Sequence, residues 1–235
     1  ELENEIKKYK DVVVHRFSYI TDEYSGQKAI MNKDILDVME IKEGEYWLGL
    51  KKARFFSWFY PFANPHVEQP KESPSRAYLQ MVEAFIWSNY KPEEEEVALE
   101  LGSAPGGASY AMVQRGIRVT GVDNAEMSET LLNHPLFTHI KEPMQKVRDE
   151  HIPRPCHLLI SDVNVMPSLN LSQVKRFMQL RPGIKNVFYT LKIGSKITVP
   201  EILEHAKTFK RFGFREVGIT QLPSSKSEIL LFLKK

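Results

Sequence analysis

The stretch LELGSAPGGASYAM, residues 99–112, decides the fold of this chain of 235 residues. A buried apolar run ends at Leu101, the chain turns at Gly102, and a helical pattern begins after Gly106 and Gly107. Glycines at such a turn let the backbone pass close to a ligand, and the amides at the start of the helix point towards it. We therefore predict a strand, a ligand-binding turn and a helix.

An acidic residue follows this turn at a spacing typical of nucleotide binding. Asp123 ends the run VTGVD, twenty-one positions after Gly102 (123 − 102 = 21). A carboxylate there can accept hydrogen bonds from both hydroxyls of a ribose. The spacing G-x-x-x-G-G matches neither the dinucleotide-binding G-x-G-x-x-G nor a P-loop. Together with Glu100, these residues predict an adenosine-containing ligand.

From about residue 97 onward, short apolar runs alternate with amphipathic segments. The runs EVALELG, IRVTGVD, CHLLISD and NVFYTLK predict buried parallel strands, and the segments SYAMVQRG, AEMSETLLNH, LSQVKRFMQL and VPEILEHAKTFKRFG predict helices between them. The final runs REVGITQL and SEILLFLK predict a hairpin. This order indicates a doubly wound α/β fold with one antiparallel strand.

We predict that residues 1–70 form a small α+β region and that residues 71–235 form a second domain. VVVHRFSYIT and GEYWLGLKKARFFSWFY indicate strands, NKDILDVMEI indicates a short helix, and the proline-rich PFANPHVEQPKESP indicates a linker. We expect the next helix to begin with Ser73 as its N-cap and Pro74 as its first residue. Its polar stripe of Arg76, Gln80 and Glu83 faces either water or a cleft, and we predict the cleft above the glycine turn.

Composition excludes several classes of protein. Hydrophobic residues make up 42% of the chain and charged residues 26%, which is typical of a soluble globular protein. The net charge of +2 gives no global basic field, so any RNA binding must depend on local clusters. A single cysteine, Cys156, fits a reducing cytoplasm, and no apolar run reaches membrane-spanning length. The first residues, ELENEIKKYK, lack an initiator methionine, so the sequence leaves open whether a further domain precedes them.

The glycine turn resembles a known family. LELGSAPGGAS is similar to the S-adenosylmethionine loop of FtsJ-like ribose 2′-O-methyltransferases, D-L-G-x-x-P-G-G-W/F-S/T, and PSRAYL, SDV and TLK follow that family's order over residues 72–235. YWLGL and PSRAYLQMVEAF resemble the RlmM-type branch, which methylates a cytidine of bacterial large-subunit ribosomal RNA. The resemblance implies a Rossmann-like class I methyltransferase fold, with a mostly parallel seven-stranded sheet and a terminal antiparallel strand. It also implies that residues 1–70 hold part of a THUMP-like RNA-binding unit.

The same resemblance implies a catalytic set carried by four positions. Asp162, Lys192 and Glu228 match the family's aspartate, second lysine and glutamate. Lys192 would act either as the base or as a cation that stabilises a developing alkoxide. The family's first lysine corresponds to Gln80, which cannot carry a charge. The activity implied is therefore methyl transfer to a ribose 2′-hydroxyl of RNA, with a silent RNA-binding protein and a methyltransferase for a small molecule or protein as alternatives.

Ligand contacts can be assigned in the same way. The expected S-adenosylmethionine contacts are Gly102, Ser103, Ala104, Pro105, Gly106, Gly107, Asp123, Glu142 and Asp162. The candidate RNA contacts are Ser75 and Arg76, which match the family's Ser-Arg, and Lys51, Lys52 and Arg54 before the aromatic run at 55–60. The alternatives are an ion pair at the start of the helix for Arg76 and a strand that packs one domain on another for the aromatic run. We expect no metal, because the histidines show no ligand spacing, and the sequence leaves the oligomeric state open.

Overall fold

The computed structural model describes residues 1–54, 56–193 and 197–235, and the chain divides into two compact units. The N-terminal unit contains 1–66 with 86–89, and the C-terminal unit contains 67–85 with 90–235. The division after residue 66 falls inside the proline-rich stretch predicted as a linker. Phe55, the first residue of the aromatic run, and residues 194–196 lie outside the described residues.

The described part of the N-terminal unit contains one four-stranded sheet. Its elements are α1 (Leu2–Ile6), β1 (Val13–Ser18), β2 (Glu23–Gly26), β3 (Asp34–Lys42), β4 (Glu45–Lys52) and 3-10 turns at Phe56–Phe59 and Pro61–Ala63. The strand order is β2-β1-β3-β4, in which β1 and β3 are parallel and the other pairs antiparallel. Consecutive residues Ile35 and Leu36 are both fully buried, so β3 has a core on each face of the sheet.

The prediction of a helix over NKDILDVMEI is wrong, because these residues form most of β3. Its apolar residues fit a helical spacing as well as that of a strand covered on both faces, and periodicity alone does not separate the two. The position of β3 decides between them. It pairs with β1 on one side and β4 on the other, so the backbone from Ile35 to Glu40 lies between two strands of the sheet.

The C-terminal unit confirms the predicted fold class. Its helices are α2 (Ala77–Ser88, whose last turn belongs to the other unit), α3 (Gly107–Val113), α4 (Glu129–Leu132), α5 (Pro167–Leu180) and α6 (Val199–Arg211), with a 3-10 turn at Asp149–His151. Its strands are β5 (Val97–Leu101), β6 (Arg118–Val122), β7 (Phe137–Ile140), β8 (Leu158–Ser161), β9 (Asn186–Lys192), β10 (Glu216–Thr220) and β11 (Glu228–Lys234).

The seven strands described in this unit form one sheet in the order β10-β11-β9-β8-β5-β6-β7. β11 runs antiparallel to both of its neighbours, while the other strands share one direction. The final hairpin is therefore present, and its last strand lies between β9 and β10. This is the predicted mostly parallel sheet with an antiparallel final strand.

Helices cover both faces of this sheet. On one face, Val187 and Tyr189 of β9 belong to a buried cluster with Phe177 of α5 and Phe209 of α6. On the other face, Phe188 lies with its ring centroid 5.6 Å from that of Phe85 in α2. Since successive residues of a strand point to opposite faces, the helices lie on both sides and the sheet is doubly wound. No helix in the described ranges is long and apolar enough to cross a membrane.

The helix that carries Gln80 begins later than predicted. α2 starts at Ala77, so Ser73 is not its N-cap and Pro74 is not its first residue. The Ser73 hydroxyl donates instead to the Ser75 carbonyl, which shapes a turn before the helix. A Cβ at residue 107 would lie only 2.6 Å from the Ser75 carbonyl oxygen, so this turn packs directly against Gly107.

A partly buried cluster of polar side chains lies in the sheet of the N-terminal unit. His15 is fully buried, and its Nδ1 lies 3.4 Å from Asp37 Oδ1. Lys51 Nζ lies 2.5 Å from the other oxygen of Asp37. Burial raises the pKa of Asp37, but the His15 imidazole and the Lys51 ammonium outweigh this effect and leave the pKa below its ordinary value.

We expect Asp37→Asn to destabilise the N-terminal unit by about 1–3 kcal/mol at neutral pH, because it leaves a buried imidazole and an ammonium without their counter-ion. A lowered native pKa stabilises the fold above the unfolded value of about 3.9, and this contribution disappears as the pH falls through the native pKa. Hydrogen exchange of β3 peptides against pH measures the difference. Asp34→Asn, which removes a half-exposed ion pair with Lys52, is the control and should cost about 0–1 kcal/mol.

Candidate active site

A cavity of about 460 Å³ opens at the carboxyl ends of β5, β6 and β8. Ligand sites of α/β sheets lie at this edge, and their volumes range from about 300 to 1,000 Å³. The predicted residues that line the cavity are Gly102, Ala104, Asp123, Glu142 and Asp162. It is also lined by three polar residues that the sequence analysis did not identify, namely Asn124, Gln145 and Asn164.

Gly102 has no room for a side chain. Its φ is +81°, a conformation that residues with a Cβ rarely adopt. A Cβ would contact the Asp162 carbonyl oxygen and lie 2.8 Å from Val163 Cγ1. The glycine therefore lets the turn after β5 pass directly over the end of β8, and this approach brings Asp162 to the floor of the cavity.

The other residues of the glycine turn pack against neighbouring segments of the unit. Ser103 is buried, and its hydroxyl lies 3.6 Å from the Met127 sulfur, away from the cavity. A Cβ at Gly106 would contact Leu131, and a Cβ at Gly107 would contact Ser75. Among the predicted contacts in this turn, Gly102 and Ala104 line the cavity, while Ser103, Pro105, Gly106 and Gly107 are outside its lining.

Asp123 holds the glycine turn through one carboxylate oxygen and its own loop through the other. Oδ2 accepts a hydrogen bond of 3.1 Å from the amide of Ala104, and Oδ1 accepts one of 2.9 Å from the amide of Ala125. Each carboxylate oxygen has a second lone pair, so both remain able to accept from a ligand hydroxyl. The predicted ribose-binding residue thus also holds the glycine turn in place.

Glu100 lies fully inside β5 beneath this turn. Burial raises its pKa to about 8, the Ser109 hydroxyl that donates to it offsets part of this effect, and the charges of Asp162 and Asp123 raise the pKa further. The carboxyl is therefore mostly protonated at pH 7. Glu100 adds no third full negative charge beside Asp123 and Asp162.

The four predicted catalytic positions form one connected cluster. Lys192 Nζ lies 2.7 Å from Asp162 Oδ1 and also contacts Glu228 Oε1. The other oxygen of Glu228 accepts a hydrogen bond of 2.7 Å from the Gln80 amide. Lys192 and Glu228 are directly opposite each other in the antiparallel pair of β9 and β11. Asp162, Lys192, Glu228 and Gln80 thus lie in a continuous polar chain.

The charges of this cluster stabilise the protonated form of Lys192. Burial lowers the pKa of Lys192, but the carboxylates of Asp162 and Glu228 outweigh burial and leave it above its ordinary value. Burial also raises the pKa of Asp162, and the nearby ammonium only partly offsets that increase. At neutral pH the cluster therefore contains an ammonium beside a carboxylate that accepts a proton more readily than an exposed aspartate does.

The polar stripe of α2 faces this cluster only in part. Gln80 contacts Glu228 directly, and buried Glu83 accepts hydrogen bonds from the amide and the hydroxyl of Ser224, at 3.0 and 2.7 Å. Arg76 is exposed. Glu83 thereby links α2 to the turn that leads into Glu228. The sequence predicts that Glu83 shares a helix face with Gln80, but it does not predict the contact with Ser224.

A second cavity, of about 670 Å³, borders the other side of Lys192. Its walls include Met166, Pro167, Ile197 and Pro200, and most of its surface is apolar. Val165 lines both this cavity and the first one. Since Asp162 lines the first cavity and Lys192 the second, their ion pair lies between the two cavities.

The two predicted RNA-binding lysines of the N-terminal unit have acidic partners. Lys51 pairs with Asp37, and Lys52 Nζ lies 3.2 Å from Asp34 Oδ1. The charges of both lysines are therefore partly compensated within the chain. Arg54 is exposed, as is Arg76 in the C-terminal unit.

Residues 74–228 match the family model described as FtsJ-like methyltransferase. The chain belongs to the FtsJ-like methyltransferase family. Family membership confirms the resemblance found in the sequence, and S-adenosylmethionine, the methyl donor of this family, is the cofactor, as predicted. The match covers the glycine turn and ends at Glu228, so it contains all four residues of the polar cluster.

Relatives of this FtsJ-like chain include proteins named ribosomal RNA large subunit methyltransferase M. The protein from Pseudomonas syringae pv. tomato is 28% identical over 213 residues, which cover 84% of this chain and 57% of that protein. The protein from Azoarcus sp. is 27% identical over 212 residues, with coverage of 85% and 56%. The chain therefore spans a little over half the length of these relatives.

Solved structures confirm the fold. A protein from Plasmodium falciparum described as a ribosomal RNA methyltransferase matches with a TM-score of 0.52 and 18% identity, over 69% of this chain and 97% of that one. A Lactococcus lactis protein described as a hemolysin matches with a TM-score of 0.58 and 19% identity, over 71% and 90%. At this level of identity, the likeness supports the shared fold of the FtsJ-like chain.

We expect Gly102→Ala to abolish S-adenosylmethionine binding, because its Cβ would press on the Asp162 carbonyl and deform the cavity. Gly116→Ala is a matched control. Gly116 has a φ of +80°, so alanine meets the same backbone strain there, but its Cβ would meet open space. Calorimetric titration with the cofactor should show no binding for the first variant and unchanged affinity for the second. An equal loss of cofactor affinity in both variants would show that backbone strain, and not the close approach of Gly102 to the Asp162 carbonyl, causes the effect.

Proposed function

We propose that this chain transfers a methyl group from S-adenosylmethionine to a ribose 2′-hydroxyl of RNA. The observation that carries the proposal is the ion pair of Asp162 and Lys192, which lies between the cavity of the glycine turn and the second cavity. A methyl donor on one side and an acceptor hydroxyl on the other would meet at this pair. Such alignment is the main requirement of an in-line displacement.

The residues of the first cavity fit the cofactor. Gly102 and Ala104 would lie along its methionine part, and Asp123 would accept hydrogen bonds from its ribose hydroxyls. The carboxylates of Asp123, Glu142 and Asp162 suit a ligand that carries positive charge. When bound, S-adenosylmethionine supplies an activated methyl group, so the protein has to align the acceptor oxygen and remove its proton.

Lys192 is suited to both tasks. Its ammonium can donate a hydrogen bond to the acceptor oxygen and stabilise the negative charge that develops there. Asp162 lies 2.7 Å from this ammonium, and its raised pKa makes it an acceptor for the displaced proton. Lys192 can pass its own proton to Asp162 and take the hydroxyl proton in its place. The ammonium is then restored while the methyl group is transferred.

Gln80 replaces the family's first lysine but keeps its place in the cluster. Its amide donates to Glu228, whose other oxygen contacts Lys192. Glu228 is therefore held in position without a second cation. The arrangement supports an active enzyme, and a silent RNA-binding protein is the alternative that the experiments below test.

Ribosomal RNA is the proposed substrate class because of the relatives. The proteins from Pseudomonas syringae and Azoarcus sp. carry ribosomal RNA large subunit methyltransferase in their names. The N-terminal unit would contribute to RNA binding as part of a THUMP-like unit. Accessible Arg54 and Arg76 are the residues that we expect to contact phosphate.

We expect Lys192→Met to lower the rate of methyl transfer by about 10²–10⁴-fold, because it removes the group that handles the proton of the acceptor hydroxyl. Cofactor affinity should change little, because Lys192 lines the second cavity and is not part of the lining of the first. Transfer of labelled methyl groups to ribosomal RNA measures the rate. Lys185→Met, an exposed lysine just before the opposite end of the same strand, is the control and should retain full activity.

The position of the label tests the acceptor. A 2′-O-methyl group blocks alkaline cleavage of the next phosphodiester bond, so labelled RNA should yield alkali-resistant dinucleotides. Label on free bases would refute ribose methylation. Cofactor binding without transfer to any RNA would instead favour the silent protein.

We expect Gln80→Lys to raise the rate of methyl transfer and to shift the rising limb of its pH profile to lower pH. A second ammonium beside Glu228 disfavours the charged form of Lys192 and so lowers its pKa. Gln80→Met has a similar shape but no charge or amide, and it should lower the rate. An unchanged pH profile in Gln80→Lys would show that position 80 has no influence on the proton of Lys192.

A further inference from the structure

β4 is an edge strand of the N-terminal sheet, and its centre is apolar. Trp47 is 63% exposed, Leu50 59% and Leu48 39%. The charges of the strand lie at its ends, with Glu45 at the start and Lys51 and Lys52 at the finish. An exposed edge with such a centre is a template for pairing with another strand.

The backbone of β4 is oriented for such pairing. The amide of Ala53 donates to the Lys33 carbonyl at 2.8 Å. In an antiparallel ladder, the residues that bond to one neighbour alternate with residues that point away from it. The amides and carbonyls of Tyr46, Leu48 and Leu50 therefore point away from β3.

We propose that two copies of this chain pair through β4, antiparallel and with Leu48 facing Leu48 at the two-fold axis. The axis is perpendicular to the sheet, so residues that face each other must point to the same side of it. In this register Tyr46 lies opposite Leu50 of the second copy, which gives apolar pairs on one face. The outward backbone groups of Leu48 bond to those of its counterpart.

The other face places no like charges opposite each other. Glu45 lies opposite Lys51 of the second copy, and within its own chain each of them already has a partner, Lys42 for Glu45 and Asp37 for Lys51. Trp47 lies opposite Gly49 of the second copy. Nothing in the described part of the chain lies within 4 Å of where a Cβ of residue 49 would be, so the indole ring has room there. In the next symmetric register, centred on Gly49, Trp47 would face Lys51 and Glu45 would face Ala53. The register centred on Leu48 is therefore the one that the residues favour.

A second copy fits this edge better than RNA does. Lys51 and Lys52 already pair with Asp37 and Asp34 of their own chain, so their charges are largely compensated. The two exposed rings of the strand, Tyr46 and Trp47, are consecutive and point to opposite faces, so neither face offers two neighbouring rings on which successive bases could stack. Two strands of this length bury less than the roughly 1,200 Å² of a stable interface, so we expect a weak dimer with a dissociation constant in about the micromolar range.

Sedimentation velocity of the full chain over a range of concentrations tests the proposal. We expect a monomer–dimer equilibrium that Leu48→Lys abolishes, because it places two ammonium groups face to face. Leu203→Lys changes an exposed leucine of α6 in the same way and should leave the equilibrium unchanged. Protection of β3 peptides against hydrogen exchange verifies that the N-terminal unit of Leu48→Lys is folded, and cofactor binding verifies the same for the C-terminal unit of both variants.

Cysteine cross-linking tests the register in the otherwise native chain. In a hydrogen-bonded pair the Cα atoms lie about 5.5 Å apart, within the range that a disulfide spans. Leu48→Cys should therefore form a covalent dimer on oxidation, and Gly49→Cys should form much less. The native Cys156 is buried and should not react.

Three results would overturn the proposal. The first is a monomer at all concentrations, and the second is a dimer that persists in Leu48→Lys. The third is a monomer whose Leu48→Lys variant loses affinity for an RNA oligonucleotide, since this would assign the edge to RNA. None of these results depends on methyl transfer, so failure of the dimer is distinguishable from failure of the proposed enzyme.

Discussion

The site depends on the position of β11 in the sheet. This strand runs against its neighbours and begins where β9 ends, so its first residue, Glu228, faces the last residue of β9, Lys192. The register fixes the contact, because a slip by one residue would turn Glu228 to the opposite face. β8 ends beside β9 and brings Asp162 to the same ammonium. The geometry of three strand ends thus establishes the charge balance of the cluster.

A close approach of two backbone segments shapes the cavity at the glycine turn. The turn after β5 crosses the end of β8 where Gly102 leaves no space for a side chain. Asp123 then secures the turn through the amide of Ala104. Burial keeps Glu100 mostly neutral under the same turn, so the negative charge at the cavity comes from the carboxylates that line it.

Sequence alone predicted the parts of this fold that depend on local patterns. Buried strands, the glycine turn and Asp123 follow from apolar runs and fixed spacing, and the family resemblance singled out Asp162, Lys192 and Glu228, which the fold brings into contact. The sequence could not predict β3, because an apolar segment between two strands has the same residue pattern as a short buried helix. Nor could it show that Ser103 points away from the cavity or that Glu83 holds Ser224, since both depend on contacts between segments distant in the chain.

The contact between Gly107 and the turn before α2 limits how this protein can change. A side chain at residue 107 would meet the Ser75 carbonyl oxygen and the Tyr78 amide nitrogen, which are backbone atoms present in every variant. Replacing Ser75 or Tyr78 would therefore not make room for it. No compensating substitution at these neighbours can make room for a side chain, so residue 107 must remain glycine for as long as the turn before α2 keeps its place, while Ser75 and Tyr78 themselves are free of this constraint.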